Sequence, residues 1–222
     1  MIEAAVAAGV KRFIPSEFSA DIDNPKSSTL PVYQPNIAVH KVLKAQSQAH
    51  SSFTYTLIRN GVLLDWSMAR GYIVAFDSAT PILYDGGDRP FSVTSMSSVA
   101  RAVVGVLQRF DSIRNRVVYI HDLVITQKQV LAIAQKLVPE RKWDPVTVST
   151  ADLEAKSWED VKKGEVFQKS ALGFLARAVF GEGYGGEFGR VDNEELGLGF
   201  GSEDELEELV KKALEGSAVP SS

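Results

Sequence analysis

Ser16, Glu17 and Phe18 are the residues of this chain whose types and position best suit a ligand site. They follow a short apolar run at Phe13 and Ile14, an order typical of a buried strand that ends in a polar loop. In an open α/β sheet, ligands bind at the carboxyl ends of the strands. The three residues therefore either line a ligand site or form a turn in which Ser16 or Glu17 caps neighbouring backbone.

Asn60 has a similar position after a second predicted strand. Residues 53–58 are aromatic and β-branched, which favours a strand, and Arg59, Asn60 and Gly61 follow as a polar loop. Because parallel strands end at one edge of a sheet, Asn60 can approach the same ligand as residues 16–18. Turn chemistry alone also explains an asparagine at this position.

Other familiar catalytic patterns are missing from the sequence. The chain has no cysteine, so thiolate nucleophiles and disulfides are excluded. His40, His50 and His121 do not stand at metal-ligand spacing, so we expect no metal site. No Gly-x-Ser-x-Gly motif occurs, and no tyrosine stands four residues before a lysine. His40 either has a proton or phosphate role or is a surface or boundary residue.

Residues 181–186 form a Gly-x-Gly-x-x-Gly pattern in a setting that does not suit a dinucleotide. Such a pattern binds a diphosphate where it follows a strand and begins a helix, because the helix N-terminus supplies N–H groups. Here it follows a helical pattern, no helix start is predicted before Ser202, and Glu182 would repel a phosphate. We expect a flexible loop or one that covers a substrate.

Composition and charge restrict the class of protein. The chain has 222 residues, of which 45% are hydrophobic, and a formal net charge of -4. These values predict a globular protein that does not bind nucleic acid through bulk electrostatics. No apolar run approaches the length of a membrane span, and the N-terminus lacks the features of a signal peptide. We therefore expect a cytoplasmic protein with no membrane partner.

Predicted helices and strands alternate along the chain, which indicates an α/β fold. The predicted helices are 2–8, 36–49, one capped by Ser97, 127–138 capped by Thr126, one starting at 149–150, 167–180, and 203–215 capped by Ser202. The predicted strands are 11–15, 53–58, 117–120, and a hairpin of 82–84 and 90–94 around the turn 85–88. Residues 19–35 are predicted to form a long loop, and 62–75 fit helix or strand.

Three segments resemble the NmrA-like, isoflavone-reductase-like branch of atypical short-chain dehydrogenases, with the greatest similarity to its fungal members. They are residues 7–18 (AAGVKRFIPSEF), 53–61 (FTYTLIRNG) and 85–94 (DGGDRPFSVT). The first segment is the most specific, and the other two support it by their order and spacing. The resemblance covers most of the chain.

This resemblance implies a partial Rossmann-like parallel sheet with a smaller α+β substrate-side subdomain, in one domain over residues 1–222. Residues 1–66 would be the remnant of the dinucleotide-binding half, and residues 67–222 would be mostly substrate-side. The implied activity is reduction of small aromatic or related metabolites with NADP or NAD as cofactor. Residues 16–18 would line the nicotinamide end of the cleft, and Asn60 would approach it from the next strand.

Two departures from the family pattern bear on activity. The family's glycine-rich turn and first strands would precede Gly9, so we expect a truncated member whose dinucleotide binding is weak or absent. Alignment of apolar helix positions places Asn36 where the family has a catalytic lysine, and asparagine cannot transfer a proton near neutral pH. Lys41 would be a substitute after a loop shift, although helical spacing turns it away from position 36 by more than one turn.

Three functions therefore remain open. The chain is a reductase impaired by these departures, a non-catalytic dinucleotide-sensing regulator of the NmrA type with a protein partner, or an inactive fragment. Turnover would identify the first function, and dinucleotide binding without turnover the second.

Overall fold

The structure is a computed structural model that describes residues 1–164 and 167–216, with side chains for all of these except 167–169. The helices in these ranges are α1 (Ile2–Ala7), α2 (Gln34–Ala49), α3 (Leu64–Met68), α4 (Met96–Gln108), α5 (Gln127–Leu137), α6 (Thr150–Lys162), α7 (Phe167–Phe180) and α8 (Glu203–Gly216). The strands are β1 (Arg12–Phe13), β2 (Thr54–Arg59), β3 (Val62–Leu63), β4 (Ile82–Tyr84), β5 (Phe91–Thr94), β6 (Arg116–Tyr119), β7 (Leu123–Ile125) and β8 (Val146–Val148).

The sheet that positions the candidate site is parallel and has the order β1–β2–β6. Successive side chains of a strand point to opposite faces of its sheet. Leu57 of β2 accordingly packs in a cluster with Leu43 of α2, whereas Ile58 packs in another cluster with Val106 of α4. Helices therefore cover both faces of this parallel sheet, which confirms the predicted α/β class.

A second group of strands lies beside this sheet. β5 pairs in parallel with β3 and antiparallel with β7, while β4 and β8 form a separate parallel pair. The largest apolar cluster packs β3, β4, β5 and β7 against α3, α5, α7 and α8. Its buried members include Phe91, Val130, Phe180 and Val210.

The segment predicted as a long loop, residues 19–35, contains two short 3-10 turns, Ser27–Thr29 and Pro31–Tyr33, and its last two residues begin α2. Ile22, Leu30 and Tyr33 from this segment pack with Phe174 of α7 in a separate buried cluster. The segment is therefore fixed by its own apolar side chains, which hold it over one end of the main sheet.

Helix caps follow the predicted residues in three cases. Thr126 accepts a hydrogen bond from the Gln129 N–H, and the Gln129 side chain accepts from the Thr126 N–H, which forms a complete capping box. Ser149 caps α6, and the Ser202 hydroxyl accepts from the Glu205 N–H at the start of α8.

The Ser97 cap was wrong, because α4 begins earlier and its cap is Ser95, whose hydroxyl accepts from the Ser98 N–H at 3.2 Å. The Asp65 carboxylate accepts from the Met96 N–H, and Asp122 accepts from the Ser95 N–H. These two carboxylates come from other elements and fix the helix start two residues earlier than the local sequence indicates.

The predicted hairpin of 82–84 and 90–94 was also wrong. The turn itself is present, with positive φ at Asp85, Gly86 and Gly87, but β4 pairs with β8 and β5 lies between β3 and β7. The Asp85 carboxylate accepts hydrogen bonds from the N–H and hydroxyl of Thr150 at the start of α6. The turn is thus anchored to α6 and leads β5 away from β4.

Two classes of feature are absent from the part of the chain that the structure describes. None of its helices is both long and apolar enough to cross a membrane. None of its His, Asp or Glu side chains form a group of three that could hold a metal ion.

Candidate functional site

A cavity of about 380 Å³ lies beside the carboxyl end of β1 and the start of α2. Its polar lining consists of Ser16 and Glu17, which follow β1, and Asn36, in the first turn of α2. The apolar part of the lining comes from Met1, Ile2, Phe13, Pro15, Pro35 and Val39. The structure therefore brings together three of the residues that the sequence singled out, from two segments of the chain.

The other three candidate residues lie outside this cavity. Phe18 packs against the cluster between β2 and α4, and Lys41 is exposed on α2. Asn60 is fully buried after β2, where its N–H donates to the Ser19 carbonyl and its carbonyl accepts from the Thr94 hydroxyl. Its side-chain oxygen Oδ1 is buried with no hydrogen-bond partner among the residues described.

A charged cluster supports the cavity wall at Glu17. Arg59, the last residue of β2, is fully buried and donates from Nη1 to Oε1 of Glu17. Its Nη2 donates to Oδ2 of Asp23 at 3.1 Å. The second carboxylate oxygen of Glu17 contacts Nε2 of His40 on α2. Two ion pairs and one histidine contact thus join the loop after β1, the segment 19–35, α2 and β2.

Burial shifts the ionisation of this cluster. It lowers the pKa of Arg59 to about 10, an effect that the nearby Tyr119 opposes. Burial also lowers the pKa of His40, against the attraction of Asp23. For Asp23, burial raises the pKa, and His40 opposes this rise. Arg59 remains charged at neutral pH, and His40 is the member of the three whose charge changes nearest to neutrality.

Arg59 and His40 were not singled out together by the sequence, although each carried a signal. An arginine directly after Leu57 and Ile58, at the end of a strongly apolar strand, requires a carboxylate partner because a lone buried charge is costly. His40 stands four residues after Asn36 and so shares its helix face. The sequence does not reveal that both residues meet at Glu17.

The glycine-rich loop 181–186 lies away from this cavity. It follows α7, and Gly183 and Gly185 have positive φ. The Lys26 ammonium group donates to the Glu182 carbonyl at 3.0 Å, so the loop packs against the segment 19–35. The next helix is α8, which begins at Glu203. The loop therefore does not lead directly into a helix N-terminus.

Comparison with known proteins connects this geometry to one family. The model of the NmrA-like family matches residues 1–153. The oxidoreductase PoxI of Penicillium oxalicum is 34% identical over 193 residues, which are 83% of this chain and 57% of that protein. The chain thus spans little more than half the length of this curated relative.

Solved structures share the fold. Triphenylmethane reductase of a Citrobacter species, complexed with NADP(H), superposes with a TM-score of 0.65 at 18% identity, over 96% of this chain and 68% of that one. Leucoanthocyanidin reductase of Vitis vinifera, in a complex with NADPH, gives a TM-score of 0.67 at 17% identity, over 96% and 69%. At these identities the likeness establishes a common Rossmann-like architecture.

Proposed function

The chain belongs to the NmrA-like family, and we propose that it forms the nicotinamide side of an NADP(H)-dependent reductase that acts on small aromatic or related metabolites. The observation that carries this proposal is the cavity in which Ser16, Glu17 and Asn36 meet. The oxidoreductase relative and the NADP(H)-bound structural neighbours support the choice of cofactor and reaction class.

The lining of the cavity suits a nicotinamide ring. Ile2, Phe13 and Val39 offer an apolar wall for the ring, while the Ser16 hydroxyl and the Asn36 amide can hydrogen-bond its carboxamide. When bound, NADP(H) supplies the hydride for reduction. The chain's own contribution is to bind and orient the ring and to provide a proton.

The glycine-rich loop 181–186 does not suit the diphosphate of the cofactor. The glycine-rich loop 181–186 lies apart from the cavity and carries Glu182, and Glu187 follows it directly. Diphosphate binding needs N–H groups at a helix start, which this loop does not provide. We therefore propose that the polypeptide of residues 1–222 binds NADP(H) weakly and mainly through the nicotinamide end.

Reduced nicotinamide mononucleotide, which lacks the diphosphate and adenosine of NADPH, tests separately whether the cavity binds the nicotinamide ring and whether the rest of the dinucleotide adds affinity. We expect it to bind the 222-residue protein with a Kd within about tenfold of that of NADPH, measured by fluorescence of the reduced ring, because both ligands use the same cavity. Asn36→Leu should raise the Kd of both ligands by about tenfold or more, since it removes the amide that hydrogen-bonds the carboxamide. Lys44→Ala, an exposed change on the same helix, is the matched control.

Two outcomes would count against the proposal in different ways. If neither ligand binds saturably, the nicotinamide site is not in this cavity. If NADPH binds more than about a hundredfold more tightly than the mononucleotide, the site for the rest of the dinucleotide is present and the weak-binding statement fails.

A second candidate function rests on Asn36. An asparagine at this position cannot transfer a proton, which favours a dinucleotide-binding regulator without turnover. Oxidation of NADPH in the presence of menadione, a small quinone, distinguishes the two functions. Saturable binding without any oxidation of NADPH would favour the regulator, and the same assay with a triphenylmethane dye tests a second class of acceptor.

A further inference from the structure

His40 continues the face of α2 that lines the cavity. Asn36 and Val39 line it, and His40 follows Asn36 by one helical turn. Leu43, one turn further along the same face, is fully buried against β2. His40 is not itself among the residues that line the cavity, but it contacts Glu17, which does, whereas Lys41 is exposed.

The imidazole of His40 is held at one nitrogen only. Its Nε2 contacts a carboxylate oxygen of Glu17, and Glu17 itself lines the cavity. The other oxygen of Glu17 is fixed by the buried guanidinium of Arg59. Nδ1 of His40 has no hydrogen-bond partner among the residues that the structure describes, and the side chain is 15% exposed. A carboxylate that holds one ring nitrogen orients the ring and stabilises its protonated form.

We propose that His40, oriented by Glu17, is the proton donor of this cavity and fills the chemical role that Asn36 cannot. This proposal rests on the reductase function proposed above. Addition of a hydride to a ketone or a quinone moves an electron pair onto an oxygen, which becomes anionic. That oxygen takes the proton from Nδ1–H of His40. The neutral imidazole keeps its Nε2–H bonded to Glu17 and regains a proton at Nδ1 from water.

Charged groups from three elements lie near His40, and burial keeps its pKa below the ordinary histidine value, so the imidazolium that donates the proton forms on the acid side of neutrality. Glu17 faces it from the loop after β1, Asp23 from the segment 19–35, and Arg59 from the end of β2. The carboxylates favour the imidazolium, whereas burial and the guanidinium oppose it.

Nuclear magnetic resonance of the three histidines tests the pair directly, without any substrate. With uniformly ¹⁵N-labelled protein and the His40→Gln variant for assignment, we expect neutral His40 to carry its proton on Nε2. Glu17→Gln should lower the pKa of His40, because the carboxylate that favours the imidazolium is lost. A neutral His40 protonated on Nδ1, or a pKa that Glu17→Gln leaves unchanged, would overturn the proposed pair.

Turnover of NADPH with menadione tests the donor role. We expect kcat to fall as pH rises through the pKa that resonance measures for His40, and His40→Gln to lower kcat by about 10²–10⁴-fold. KM for menadione should change by less than about threefold, because the proton transfer is a transition-state contribution. His50→Gln, at an exposed histidine after α2, should leave kcat unchanged.

The two proposals fail in distinguishable ways. A wild-type protein that binds NADPH but never oxidises it overturns both the reductase function and the donor role, whatever the resonance data show. A wild-type protein that turns over, while His40→Gln keeps kcat within about threefold, overturns the donor role alone. If His40→Gln fails to fold, His50→Gln and His121→Gln assign the His40 resonance by elimination, and the match between the pH profile of the wild type and the measured pKa of His40 decides the question.

Discussion

Arg59 and Glu17 form an ion pair in which both side chains are almost completely buried, at 0% and 2% exposure. The pair joins the carboxyl end of β2 to the loop after β1, and the Glu17 side chain borders the cavity. A buried pair of this kind contributes little net stability compared with an apolar pair, but loss of one partner is costly. Its position makes it a determinant of the geometry of the candidate site.

Replacing Arg59 with Met should destabilise the protein by about 3–5 kcal/mol, because Glu17 remains buried without its guanidinium. Urea unfolding followed by circular dichroism measures this change. The double variant Arg59→Met with Glu17→Gln should recover part of the loss, since the uncompensated carboxylate is removed. Arg89→Met is the matched control: its pair with the exposed Glu182 should contribute no more than about 1 kcal/mol. A similar cost at both arginines would contradict the buried-pair account.

The free energy of unfolding should rise as the pH approaches the ordinary histidine pKa of about 6.5 from below. Burial lowers the pKa of His40 and of His121 in the folded state. The unfolded chain then binds more protons than the folded one in this range, so raising the pH favours folding until the histidines of the unfolded chain are also neutral.

Urea unfolding at a series of pH values checks this prediction. His40→Gln and His121→Gln should each reduce the slope, and the exposed His50→Gln serves as the control. A free energy of unfolding that falls over this range would show that the carboxylates around His40 outweigh its burial.

Gly61→Ala should be far more harmful than Gly9→Ala, although both glycines have positive φ. A Cβ at Gly61 would lie 2.1 Å from the Ser92 carbonyl oxygen, whereas a Cβ at Gly9 would have no neighbour within 4 Å. We expect about 1 kcal/mol for Gly9→Ala from backbone strain alone. Gly61→Ala should cost about 3 kcal/mol or prevent folding, because backbone must move between β2 and β5. Equal urea midpoints for the two variants would argue against this close approach.

Val106→Ala and Val104→Ala compare a buried and an exposed position on one helix. Val106 is fully buried in the cluster between α4 and β2, whereas Val104 is 53% exposed. Loss of two methyl groups at Val106 should cost about 2 kcal/mol, including the cavity left behind. Val104→Ala should stay within about 0.5 kcal/mol of the wild type. Thermal or urea unfolding measures the loss of stability in each variant. A larger loss for Val104→Ala than for Val106→Ala would contradict the orientation of α4 in this fold.

Local signals in the sequence predicted much of the fold. The strand at 53–58, the capping box at Thr126 and the cap at Ser202 depend on residues within a few positions of one another. Interactions of that range are the ones that a single sequence expresses most directly. The place of Ser16 and Glu17 in a polar loop after a strand also followed from a local pattern, whereas cofactor binding by these residues stays a prediction.

The pairing of strands and side chains from distant parts of the chain was not predictable in this way. The turn at 85–88 is correct, but only pairing with β8, more than 60 residues later, decides that β4 leaves the hairpin. The predicted cap at Ser97 was wrong because Asp65 and Asp122, from other parts of the chain, bind the N–H groups of Met96 and Ser95 and fix an earlier helix start. Arg59 likewise takes Glu17 and Asp23 as partners from two earlier segments. The periodicity of the sequence carries no information about these contacts between distant segments.

The parallel order β1–β2–β6 also has a consequence for the synthesis of this chain. β2 contacts a strand 42 residues earlier and a segment 60 residues later, so both edges of β2 depend on contacts that are distant in sequence. Such contacts slow folding, because a long loop must close before the pairing is gained. On the ribosome, one edge of β2 stays unpaired until β6 emerges. That interval is when a nascent chain of this topology is most exposed to aggregation and most in need of a chaperone.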